Sequence, residues 1–68
     1  MCVVKIYIGE KKEDNKVMEE VARYELNFKD KILDAHPVLG ESKSFKFQDI
    51  DTIKWDEQDD SLVIEGSI

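Results

Sequence analysis

Two side chains in this 68-residue chain stand apart chemically, because Cys2 is its one cysteine and His36 its one histidine. A thiolate with an imidazole base in hydrogen-bond reach is the minimum for cysteine nucleophilic catalysis. One of each forms no motif, and the plainer reading is a strand-end cysteine and a histidine at a loop edge beside Pro37. A lone cysteine also excludes an intramolecular disulfide and any thiolate-cluster zinc site. Carboxylates gather in Glu19-Glu20, in Asp49 with Asp51, and in Asp56, Glu57, Asp59 and Asp60. Such runs read as solvated loops, and the last lacks the glycine and spacing of a calcium loop. Gly9, Gly40 and Gly66 are isolated, so no glycine-rich loop cradles a phosphate. The chain is expected not to be an enzyme.

Cys2 draws interest through its position. With Met1 removed, Cys2 presents a free α-amine, a thiolate and the next backbone nitrogen within one chelate. Divalent nickel accepts nitrogen-rich square-planar sites and tolerates a thiolate, and an α-amine titrates near neutral pH. One chain leaves the metal's shell incomplete. A two-fold dimer that brings two Cys2 termini together completes it, since an isologous interface places the same residue of both subunits side by side. Copper(II) and zinc compete for the same donors. The alternative is a cysteine packed as a small apolar side chain beside Val4 and Ile6.

Sixteen acidic against ten basic residues leave a net charge of −6 and a pI near 4.6. That balance opposes long-range attraction to phosphate backbones, although a local basic stripe can persist on an acidic protein. An RNA-binding module is therefore the competing class. Its stacking platforms would be Tyr7, Tyr24, Phe28 or Trp55, beside Lys5, Arg23, Lys29, Lys31 and Lys54. Against it, a core this small has few aromatics to spare. The longest apolar run, around Ile6 to Gly9, falls far short of the ~20 residues that span a bilayer, and no leader pattern precedes it. The expectation is a soluble, cytoplasmic protein with no membrane contact.

The elements that must position these residues are short strands. Val3 to Ile8 alternates, with Val4, Ile6 and Ile8 on one face and Lys5 and Tyr7 on the other. Gly9 ends that strand, and the charged stretch Glu10 to Lys16 reads as a mobile loop. Val17 to Leu26 fits both helical spacing and strand alternation. Asn27 to Asp30 is a turn, and Lys31 to His36 a strand with Leu33 and Ala35 inward. Pro37 to Ser42 connects to Lys43–Gln48, where Phe45 and Phe47 point inward. After a bend at Gln48-Asp49, Ile50 to Trp55 forms a hairpin with Leu62 to Glu65, so that Ile53 and Trp55 face Leu62 and Ile64. The fold class is mainly β: one domain, 1–68, forming a small five- or six-stranded antiparallel, partly closed barrel of SH3-like size. Such a domain buries only about 60% of its unfolded surface and gains from self-association.

The opening Met1-Cys2 with Val3-Val4-Lys5-Ile6-Tyr7-Ile8, then Val17-Met18-Glu19-Glu20-Val21, Lys31-Ile32-Leu33, Leu39-Gly40-Glu41, Ile50-Asp51 and Leu62-Val63-Ile64-Glu65, resembles the CooT-like proteins. These are very small nickel-binding proteins, some encoded with the maturation machinery of carbon monoxide dehydrogenase, and many relatives are labelled predicted RNA-binding proteins. The resemblance spans nearly the whole chain, and Met1-Cys2 is its specific part. It implies a mainly β homodimer that binds Ni(II) through Cys2 and serves as a metallochaperone or nickel store. It also implies a strand over Val17 to Leu26. His36 has no counterpart in the family pattern and stands as an auxiliary ligand candidate.

Overall fold

The computed structural model describes residues 3–68. Six strands account for most of them: β1 (Val4–Ile8), β2 (Lys16–Asn27), β3 (Ile32–Pro37), β4 (Lys43–Lys46), β5 (Asp49–Asp56) and β6 (Ser61–Ser67), with one 3-10 turn at Glu13–Asn15. The stretch that fitted two periods, Val17 to Leu26, is strand throughout. Its twelve-residue strand is long because it bends: register shifts interrupt its pairing with β1 between Val4 and Ile6, and its pairing with β3 between Val21 and Arg23. Extra residues at such bulges turn a strand, so one half of β2 pairs with β1 and the other half with β3. Glu20 takes a left-handed φ of 56° at this corner.

The strands form one sheet in the order β4-β3-β2-β1-β6-β5. Four of its five pairings are antiparallel, as the alternation suggests, and one is not: β1 and β6 run parallel, with Ile6 beside Leu62 and Ile8 beside Ile64. Parallel strands are usually covered on both faces and read as continuous apolar runs. β6 obeys that rule. Ser61, Leu62, Val63 and Ile64 are all buried, as are Ile6 and Tyr7 on β1.

The two edge strands are consecutive in the chain and separated only by Phe47 and Gln48. Three Cα steps reach at most about 11 Å, whereas the edges of a flat six-stranded sheet lie about 24 Å apart. The sheet must therefore curl until its edges approach, giving a partly closed barrel. The link itself bridges the seam. Phe47 N–H donates to Lys31 O at 2.8 Å on one side, and Gln48 N–H to Ser67 O at 2.7 Å on the other.

Inside the curl lie Ile6, Val21, Leu33, Ala35, Phe47, Leu62 and Ile64, with Val4, Ile8, Val17, Met18, Leu26, Phe45 and Ile50 packed around them. Phe47 belongs to the seam rather than to β4, yet its ring is the largest fully buried side chain. Gly66 is required by close approach. A Cβ there would lie 2.1 Å from Asp49 O, so only glycine lets β5 and β6 come together at this rung.

Candidate functional site

Cys2, the proposed metal ligand, lies outside the described residues. His36 sits on β3 opposite Arg23, and its Nδ1 pairs with Ser42 Oγ at 2.5 Å. No three metal-ligating side chains gather anywhere among the described residues.

The charged loop after Gly9 is tied down rather than loose. Gly9 N–H donates to Ile64 O at 2.8 Å, and Asn15 Nδ2 donates to Glu10 O at 2.8 Å. Lys11 then reaches Asp56 at 2.9 Å and Asp59 at 2.6 Å, near the far end of the β5–β6 hairpin. Since β6 lies between β1 and β5, this segment passes over the outer face of β6. That is the face on which Tyr7 and Val63 are buried outside the main core. Tyr7 is 8% exposed and so is no stacking platform.

The electrostatics of the acidic hairpin turn follow from that strap. Asp59 and then Asp56 hold the Lys11 ammonium above the ordinary lysine value. In return, the Lys11 hydrogen bond, aided by Gln58 N–H, holds Asp56 below the usual carboxylate range. Lys11 and then the Ser61 hydroxyl do the same for Asp59. Lys5 joins at the same place, its backbone N–H donating to Asp60 O at 3.0 Å and its ammonium to Asp59 O at 3.4 Å. Lys54 is held by Glu65 at 3.2 Å. Trp55, half exposed, leads directly into this acidic turn.

At the seam the charge is reversed. A groove of about 700 Å³ is lined by Lys29, Asp30, Lys31, Lys46, Phe47, Gln48 and Ile68. Lys31 Nζ crosses to Gln48 O at 3.0 Å, tying the β2–β3 turn to the seam. The turn opens with Phe28, which is 66% exposed. Of the aromatic and basic residues named from the sequence, Lys29 and Lys31 line the groove, and Phe28 precedes them in the same turn without lining it. Lys46 completes the set and escapes a reading that looks for basic residues beside exposed aromatics, because β4 alternates it between two inward phenylalanines.

Among the described residues no helix is long and apolar enough to cross a membrane. No family model, curated protein or solved structure significantly matches the chain.

Proposed function

We propose that the chain is a small nickel carrier or store, taking Ni(II) as cargo through Cys2 at the two-fold axis of a homodimer and supplying a nickel enzyme in the cytoplasm. The enzyme that the resemblance suggests is carbon monoxide dehydrogenase. The observation that carries the reading is the sequence position of Cys2, two residues ahead of β1. That strand is hydrogen-bonded on both sides, to β2 and β6, and is a firm mount for a terminal chelate. The donor set needs the α-amine of Cys2 and hence removal of Met1, and it needs a second copy to fill the metal's coordination. Calorimetry on protein shown by mass to begin at Cys2 is expected to give one nickel per two chains. Unchanged nickel affinity in Cys2→Ser overturns the proposal.

A second reading, single-stranded RNA binding, is favoured by one specific observation: Phe28 stands exposed beside two lysines of its own turn. Exposed rings flanked by cations stack bases and attract the backbone. Failure of a filter assay to retain mixed single-stranded RNA at low salt discards it.

A further inference from the structure

Carboxylates outnumber cations in this chain, sixteen to ten, yet three lysines without an ion pair among the described residues gather at one place. The ion pairs among the described residues engage Lys11, Lys12, Lys16 and Lys54. Lys29, Lys31 and Lys46 have no carboxylate within 4.0 Å among those residues, and all three line the seam groove. The one carboxylate that lines the groove, Asp30, is engaged within its own turn, where Asn27 Nδ2 donates to its Oδ2 at 3.3 Å. A concave surface over a low-dielectric floor, here the buried Phe47 ring, concentrates the field of the charges around it. The volume falls within the roughly 300–1,000 Å³ typical of small-molecule sites.

We propose that the seam groove is a nucleotide-phosphate site, in which Lys29, Lys31 and Lys46 hold the phosphate and Phe28 stacks the base. Lys29 and Lys31 come from the β2–β3 turn and Lys46 from the end of β4. The Phe47 N–H to Lys31 O bond and the Lys31 ammonium to Gln48 O bond fix the two segments relative to each other. The backbone segments that carry the three lysines are thus set relative to each other before any ligand arrives, which lowers the ordering cost of binding. The shared chemistry is a phosphate ester carrying an aromatic base. It has two sources, a free mononucleotide or single-stranded RNA, and the RNA source rests on the second reading above.

The test is calorimetry at low salt with uridine monophosphate and, separately, with an eight-residue oligouridylate. Each is titrated into the wild-type chain, the Lys29→Glu/Lys31→Glu/Lys46→Glu variant, the single Lys46→Glu variant, Phe28→Ala, and Lys12→Glu as a control outside the groove. The expected result is binding of both probes, lost in the triple variant, weakened in Lys46→Glu and unchanged in Lys12→Glu. Phe28→Ala loses at least about fivefold, the lower end of one base–aromatic stack. The logarithm of RNA affinity falls with the logarithm of salt at a slope of roughly −2, from three neutralised phosphates on a single strand. Binding of the mononucleotide alone supports the groove and overturns the RNA reading. RNA binding that is equal in wild type and triple variant overturns the groove and leaves the RNA reading standing. No binding of either probe, or equal losses in Lys12→Glu and Lys46→Glu, overturns the proposal.

Discussion

The β2–β3 and β5–β6 hairpins are closed by turns of the same build and opposite charge. Each has four residues between its strands, Phe28–Lys31 and Glu57–Asp60. Each ends in a left-handed residue, Lys31 at φ 58° and Asp60 at φ 52°. In each, the last strand residue accepts a backbone N–H: Asn27 Oδ1 from Asp30 at 3.1 Å, and Asp56 Oδ1 from Gln58 at 3.0 Å. Local hydrogen bonding of this kind depends on Asn or Asp at the turn's start and is indifferent to the other side chains. Those other side chains decide what each turn does. The acidic turn finds Lys11 and Lys5 of its own chain and becomes the anchor of a strap over β6. The basic turn finds only a backbone carbonyl for Lys31, and its cations are left facing a groove. Turns of equal length and like closing residues therefore yield a structural fastening at one site and a candidate binding surface at the other.

The comparison breaks most forcefully at Phe47, through which the basic turn is held to the core. Phe47→Ala removes a fully buried ring and is expected to cost about 3–5 kcal/mol, read as a fall in the denaturation midpoint. A cost below about 1 kcal/mol would mean that the seam is not part of the packed interior. Next in size is Gly66→Ala, at the end of the β5–β6 hairpin away from its acidic turn. Its methyl group would meet Asp49 O, and overpacking of this sort costs about 1–3 kcal/mol in chemical denaturation. A neutral result would show that the two strands can separate there freely.

Smaller effects sharpen the turn comparison itself. Asp60→Gly relieves a left-handed aspartate and is expected to stabilise by a few tenths to about 1 kcal/mol, measured by thermal melting. A loss instead would assign the Asp60 side chain a role that the turn geometry does not require. The smallest effect is that of Lys11→Met, which is read best through pH. Asp56 and Asp59 are depressed in the folded chain, so their contribution to stability is present above the ordinary carboxylate value of 3.8. It is lost as pH falls through their lower folded values. Lys11 is raised, so its contribution is complete below 10.5 and disappears as pH rises through its higher folded value. The Met variant should flatten both limbs of the stability profile and reduce its sensitivity to salt. An unaltered acid limb would mean that the strap is held by its backbone contacts alone.

Much of the architecture is legible in the residues. The alternation in Lys43–Gln48 places Phe47 inside, and the facing of Ile53 with Ile64 and of Trp55 with Leu62 emerges as read. The Glu10 to Lys16 stretch is misread as loose because its anchor, Lys11 to Asp56, spans 45 positions in the chain. Tyr7 is misread as a platform because alternation assigns it to an outer face. That face is buried on a strand flanked by β2 and β6, beside the strap over β6. The groove is half legible: Lys29 and Lys31 are neighbours in sequence, whereas Lys46 joins them only across the seam.

The sequence by itself determines the local features: where most strands run (the two-period stretch Val17 to Leu26 excepted), which turns close them, the absence of an intramolecular disulfide, and the chemical distinctiveness of Cys2. These depend on side-chain period, on φ preference and on composition, all of which act within a few residues. Tertiary structure alone decides the parallel β1–β6 pairing, the curling of the sheet around a two-residue seam, and which cations are neutralised. Those outcomes depend on the order in which distant strands associate. Lys11 and Lys46 are both exposed lysines by local criteria, and strand order alone gives one two carboxylates and the other a groove.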